Sequence, residues 1–238
     1  MKYMGSKRRI AKYIAPIIQA HIDSGRYKTY IEPFVGGANM IEHIKCETRC
    51  GSDVHKYLIA VLIALQSDWV PPKELSETSY QLIKNHPDGY PDELVGYVGF
   101  VLSYGSKWFG GYMRGNNAKG QPRDYRMEGW NNTMNQAPNL KDIQFTHHSY
   151  KNWAPENCVV YCDPPYANTT KYKAGDFDHA DFWRWCKKYA ELQYNNVILV
   201  FEYTAPDGVE CIWQKEINSS LTQDTGSKKG VEKLFWVR

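Results

Sequence analysis

Apolar and polar positions along the chain alternate between two periods, and this alternation predicts helices and strands in turn. Residues 7–20 place Ile10, Ile14 and Ile17 on one stripe, a helical spacing. Residues 27–34 read as a strand ending in Pro33-Phe34-Val35-Gly36-Gly37, with a short helix expected over 38–44. Residues 48–52 form a second short strand closed by Asp53, and KYLIAVLIALQ (56–66) is apolar nearly all round, as a buried helix is. From 67 to 144 the pattern changes. A helix is expected over 92–104, after which GSKWFGGYMRGNNAKGQPRDYRMEGWNN runs on without a clean period. Alternation resumes with strands over 142–146 and 158–162, then a helix over 178–192 with Phe182, Trp185, Cys186 and Tyr189 on one face. A strand over 197–201 and an antiparallel pair over 211–219 and 231–237 complete the pattern.

Strands alternating with helices imply an α/β fold whose mostly parallel, Rossmann-like sheet is covered on both faces, here with a C-terminal antiparallel pair. The chain has 238 residues, enough for one such domain with an inserted lobe. The expected division is 1–66 with 145–238 as one domain and 67–144 as a mainly helical insertion. The net charge of +3 is too small to select a partner by itself. No apolar run approaches a membrane span, and MKYMGSKRRIAKYIAPII lacks a cleavable signal layout, so the expected location is the cytoplasm. Cys46 and Cys50, like Cys158 and Cys162, are spaced C-x-x-x-C with no histidine pair to complete a zinc site. Reduced, mostly buried thiols and no metal are expected.

In a parallel sheet, ligands bind beyond the carboxyl ends of the strands. Three strand ends stand out. Gly36-Gly37, between a strand and a helix, lets backbone N–H groups approach a ligand closely. Asp53 ends the next strand at the distance where an acidic residue can hold a ribose diol; capping the helix that follows is an equally simple role. Asp163-Pro164-Pro165-Tyr166 leaves the apolar strand 158–162 directly. The carboxylate and the proline carbonyls are acceptor-only, which suits an aromatic amine with two N–H donors, and Tyr166 offers a flat face for a base. The plainer reading of these four residues is a strand-terminating turn.

Taken in order, KYMGSKRRI, YIEPFVGGANM, CGSD and YCDPPY resemble the Dam-like adenine-N6 DNA methyltransferases over most of the chain. The resemblance implies an S-adenosylmethionine-dependent fold with an inserted target-recognition region, no metal, and S-adenosylhomocysteine as product. Carried over by motif, Tyr3, Lys7, Phe34, Gly36, Gly37 and Asp53 would surround the cofactor, with Ser149 and Tyr150 as a further contact. Asp163 would lie between cofactor and substrate, with Pro164, Pro165 and Tyr166 completing the catalytic motif. The implied substrate is duplex DNA containing a target adenine that leaves the helix to react. The implied setting is a bacterial host or its phage, with a restriction endonuclease as a partner.

The recognition segment departs from the family. After RGNNAKG, where Dam-like proteins continue with a Phe-Asn-x-Pro-x-Gly type segment, this chain reads QPRDYRMEGW, which argues against GATC as the target. Lys107, Arg114, Asn116, Lys119, Arg123 and Arg126 are the expected DNA contacts, interleaved with Trp108, Phe109 and Tyr112. A solvated loop with its aromatics packed beneath is the alternative. Methylation of cytosine N4 or of RNA adenine, or a binding module without catalysis, would use the same fold. Asp at the first position of D-P-P-Y favours adenine.

Overall fold

Strand β4 (Cys158–Cys162) is buried along its whole length, and its alternating side chains separate two apolar layers. Val159 and Tyr161 join one cluster with Ile14 and Ile18 of α1 (Ala11–Asp23) and Leu58 and Leu62 of α2 (Lys56–Gln66). Cys158, Val160 and Cys162 join the other with Phe182, Trp183, Cys186 and Tyr189 of α6 (His179–Ala190). Two-residue periodicity inside the sheet and helical periodicity outside it thus meet on both faces. The computed structural model describes residues 1–115, 120–121, 123–166, 177–218 and 229–238.

The described strands form one seven-stranded sheet in the order β3-β2-β1-β4-β5-β7-β6. The other six are β1 (Thr29–Glu32), β2 (Thr48–Asp53), β3 (Ile143–His147), β5 (Val197–Glu202), β6 (Glu210–Asn218) and β7 (Lys229–Val237). β1 to β5 pair in parallel, and β7 runs antiparallel between β5 and β6. This is the expected Rossmann-like sheet with its antiparallel closing pair. Strand order reverses between β1 and β4, so the crevice of the fold opens beyond those two carboxyl ends.

Several boundaries differ from expectation for local reasons. α1 begins at Ala11, because Lys7–Arg9 form a 3-10 turn whose N-cap, Ser6, accepts from the Arg8 N–H. The expected helix over 38–44 shrinks to the 3-10 turn Ile41–His43, since Gly36 and Ala38 hold φ of 49° and 56°, outside any right-handed helix. The helix expected over 92–104 is α4 (Asp92–Gly96), continuing as a π-helical turn over Tyr97–Val101. There the Gly99 carbonyl is taken by the Phe109 N–H at 2.8 Å, a bond from outside the helix.

Two helices occupy stretches where no period was legible. α3 (Glu77–Asn85) is capped by Ser76, and α5 (Tyr125–Gln136) by Asp124, which accepts from the N–H groups of Arg126 and Met127. On α6 the buried stripe includes Trp183, while Trp185 is half-buried. All six cysteines are free, with Cys50, Cys158, Cys162 and Cys186 buried. Among the described residues no helix is long and apolar enough to cross a membrane.

Candidate active site

Pro33 stops β1, and the chain turns back through Gly36 and Gly37 directly above the end of β2. Asp53 ties the two strand ends together: its Oδ2 accepts from the Gly36 N–H at 3.2 Å and its Oδ1 from the His55 N–H at 3.0 Å. The N-cap of α2 is His55, so Asp53 does not cap that helix directly. Burial raises the Asp53 pKa, and those N–H groups pull it back. Both glycines are required by contact. A Cβ on Gly36 would stand 2.9 Å from the Tyr3 ring, and one on Gly37 2.7 Å from Tyr3 Cβ. Tyr3 therefore lies on bare backbone, with Phe100 at 5.4 Å on its ring.

Asp163 follows β4 on the other side of the crevice. Its Oδ2 stands 2.7 Å from Lys7 Nζ, and Lys7 is only 7% exposed. The same ammonium donates to the Gly5 carbonyl at 2.9 Å and faces the rings of Tyr166 and Phe201 at 4.8 and 5.1 Å. Lys7 opens the 3-10 turn that precedes α1, and its side chain is drawn inward to the carboxylate. Burial pushes the Asp163 carboxyl above its ordinary value, while the Lys7 ammonium and the Tyr166 hydroxyl oppose that rise. Tyr166 packs against Tyr203 at 4.6 Å, the aromatic floor beside the carboxylate. Pro164 and Pro165 contribute no N–H, so neither can donate to a neighbouring strand and the ladder ends here.

Phe34 and Tyr150 also meet, with ring centroids 5.4 Å apart, in a cluster with Phe177 and Phe182. Tyr150 donates its hydroxyl to Asp181 at 2.9 Å. Ser149 turns to its own backbone, accepting from the Lys151 N–H at 3.3 Å. The structure thus brings Tyr3, Gly36, Gly37 and Asp53 to one turn, Lys7, Asp163 and Tyr166 to another, and Phe34 with Tyr150 to a third cluster. Among the described residues no group of three His, Cys, Asp or Glu side chains converges as a metal site needs.

The expected DNA contacts are distributed differently. Lys107 is exposed. Arg114 pairs with Glu77 at 3.0 Å, and Arg123 forms a fork with Glu128, its Nη2 at 2.8 Å from Oε2. Glu128, pulled down to about 2 chiefly by Arg123, also takes Lys2 at 3.1 Å. Arg126 lies 3.5 Å from Asp124 and from the Tyr112 hydroxyl. Asn116 and Lys119 lie outside the described residues. Trp108 packs on His55, Phe100 and Tyr57, while Phe109 and Tyr112 pack on Tyr80. Phe109 and Tyr112 are half-buried, while Trp108 keeps 38% of its surface exposed. The most exposed ring of this stretch is Tyr104, at 66%.

Four residues near the site carry no sequence signal of their own. Glu32, 2% exposed, accepts from the Tyr30 hydroxyl at 2.6 Å, and burial holds its pKa well above the usual range. Gln136, the last residue of α5, donates through Nε2 to the carbonyls of Gly37 and Ala38 at 3.0 and 3.1 Å and to Glu42 at 3.0 Å. His55, pushed down to about 4 by burial, sits between Asp53 and Trp108. Asn39 is buried against the glycine turn. Glu32 and Asn39 flank the glycine motif and could have been suspected from that adjacency.

A sheet that reverses at a glycine turn, with an acidic end on the next strand and D-P-P-Y on the neighbouring one, is Rossmann-like and has the order of motifs on which the resemblance rests. Residues 3–94 match the family described as D12 class N6 adenine-specific DNA methyltransferase, which bears out the resemblance to Dam-like enzymes. The chain is 23% identical over 208 residues to Type II methyltransferase M.FokI from Planomicrobium okeanokoites, covering 77% of this chain and 31% of that protein. It is 25% identical over 207 residues to Modification methylase StsI from Streptococcus sanguinis, covering 76% and 31%. The aligned part thus spans about a third (31%) of the length of each curated relative. Among solved structures, an rRNA methyltransferase, AviRa from Streptomyces viridochromogenes, aligns over 97% of this chain and 84% of its own at 13% identity, with a TM-score of 0.45.

Proposed function

We propose that this chain binds S-adenosylmethionine and transfers its methyl group to the N6 amino group of an adenine turned out of duplex DNA. The observation that carries this reading is the half-buried Asp163 carboxylate at the end of β4, held by Lys7, next to two prolines and across the strand reversal from the glycine turn. The residues suit the cofactor. Bare backbone at Gly36 and Gly37, the Tyr3 ring and the Asp53 carboxylate converge on one turn, a donor and acceptor set fitted to a nucleoside bearing a charged chain. When bound, the cofactor supplies an already activated methyl on a sulfonium.

The amino nitrogen of adenine is a poor nucleophile because its lone pair is delocalised into the ring. Asp163 and the Pro164 carbonyl accept its two hydrogens and favour a pyramidal nitrogen, and the same acceptors stabilise the positive charge that develops there. Lys7 holds Asp163 Oδ2 in place and lowers the basicity of the carboxylate. Asp163 therefore aligns the amine and accepts its hydrogen bond rather than stripping a proton beforehand. Tyr166 stacks on the extruded base, offsetting part of the few kcal/mol needed to unstack it.

DNA is gripped by the region 67–144 through Lys107, Arg114, Asn116, Lys119, Arg123 and Arg126. The setting is DNA modification in a bacterial cytoplasm, whether host- or phage-encoded, alongside a restriction endonuclease; the printed names of the two relatives support this. Transfer of tritiated methyl to unmethylated duplex, followed by mapping of the modified base, tests the reading and separates adenine N6 from cytosine N4 and from RNA. Asp163→Ala should abolish transfer and leave cofactor affinity within about tenfold, ~1.4 kcal/mol. Substantial turnover by that variant would remove Asp163 from the reaction.

A further inference from the structure

Asn39 is 4% exposed, and neither its amide oxygen nor its amide nitrogen has a hydrogen-bond partner. Among the described residues it is the one amide with both ends buried and unpaired. Buried polar groups are almost always paired, and those that are not call for a physical reason. In the same turn the Gly37 and Ala38 carbonyls accept from Gln136 of α5, and neither accepts from Asn39. The left-handed Ala38, at φ 56°, sends the chain back so that the Asn39 amide rests over Gly37. Its Nδ2 is 2.6 Å from where a Gly37 Cβ would stand, and Tyr3 Cβ is 2.7 Å from that same point. The amide and Tyr3 thus close over the glycine together, while Asp53 engages the turn through the Gly36 N–H.

We propose that Asn39 binds the α-amino-acid end of the cofactor, Nδ2 donating to the carboxylate and Oδ1 accepting from the ammonium; this rests on the methyltransferase reading above. An amide carries a donor and an acceptor side by side, and a zwitterionic amino acid presents the complementary pair. The ribose diol would be held by Asp53, so the two polar ends of the ligand are divided between the two sides of the turn.

Calorimetry with two ligands tests this: S-adenosylhomocysteine, and 5′-methylthioadenosine, which keeps the nucleoside and the thioether but lacks the amino acid. Asn39→Ala should weaken S-adenosylhomocysteine by about 10- to 100-fold, as expected for lost hydrogen bonds to charged groups, and leave 5′-methylthioadenosine within about twofold. Asn39→Asp, of the same shape, should weaken S-adenosylhomocysteine at least as much by facing its carboxylate. Without ligand, Asn39→Leu should melt higher than the parent, since the unpaired amide is gone. Equal loss for both ligands would mean that Asn39 only supports the turn. Unchanged binding of both would mean that an enclosed water pairs the amide. Either result overturns the proposal. A parent chain that binds neither compound would overturn the methyltransferase reading beneath it.

Discussion

Replacing Lys7 with Met keeps the apolar stem of the side chain and removes the ammonium that faces Asp163. The two groups are 2.7 Å apart, with side chains 8% and 19% exposed, so the pair is shielded and not a surface contact. Leaving the carboxylate ionised and unpaired would cost about 3–5 kcal/mol. Protonation is the alternative, and its cost depends on pH. Starting from the ordinary value of 3.8, taking up a proton costs about 4.4 kcal/mol at pH 7 and about 1.6 at pH 5, at ~1.36 kcal/mol per unit. Lys7→Met should therefore lose up to about 4 kcal/mol at pH 7 but no more than about 1.6 at pH 5. The sign follows from burial, which raises the folded Asp163 pKa: without Lys7 that rise is unopposed, and stability falls as pH climbs from the unfolded value through the folded one. Adding Asp163→Asn removes the charge and should recover most of the loss. Urea titration of the parent, both single variants and the double variant at the two pH values measures this. An equal loss at both pH values, or no recovery in the double variant, would show that Lys7 matters through Gly5 and the Tyr166 and Phe201 rings instead.

Glu32→Gln keeps an acceptor for Tyr30. Because burial raises the Glu32 pKa, the native group disfavours stability as pH rises above the unfolded carboxyl value, by up to ~1.4 kcal/mol per unit; the variant should melt higher at pH 8 and about equally at pH 4, and a uniform shift would count against this. Gln136→Leu strips hydrogen bonds from Gly37, Ala38 and Glu42 and should cost about 2–4 kcal/mol, with a matching fall in cofactor affinity by calorimetry; stability lost with affinity intact would detach α5 from the cofactor turn. Duplex binding should weaken with salt at a log–log slope of about −3 to −4.5 for three to five phosphates. Glu128→Gln frees Arg123 and Lys2 and should steepen that slope by up to ~0.9 per freed cation; an unchanged slope would place both away from phosphates.

The central strands and the three strand ends were legible in the sequence because their signals are local: a two-residue period, a glycine pair, an acidic terminus, a double proline. α5 was not, because its contacts are largely polar. Thr133 bonds its own turn, Asn132 accepts from Arg8, and Gln136 holds carbonyls, so no apolar stripe marks the helix. The Lys7–Asp163 pair joins distant parts of the chain, and the motif that suggested a cofactor contact for Lys7 contained nothing about the carboxylate it faces. The basic loop showed its cations but not their acids: Glu77 and Glu128 lie on helices whose placement only the fold supplies.

On the proposed function, α5 also bears on how such a chain could acquire a new target. Its first turn follows Arg123 and carries Arg126, its flank receives Lys2 and Arg8 from the N-terminal segment, and its last residue grips the glycine turn. A helix committed at both ends does not travel as a cassette. Grafting the whole lobe from a relative would bring a foreign partner to the glycine turn and to residues 2–8, whereas a chimera that keeps α5 and the N-terminal segment from one parent preserves every one of these bonds. If the exposed side chains Tyr104, Lys107 and Arg114 read DNA, divergence of target sequence is expected to proceed by substitution there, with α5 inherited unchanged.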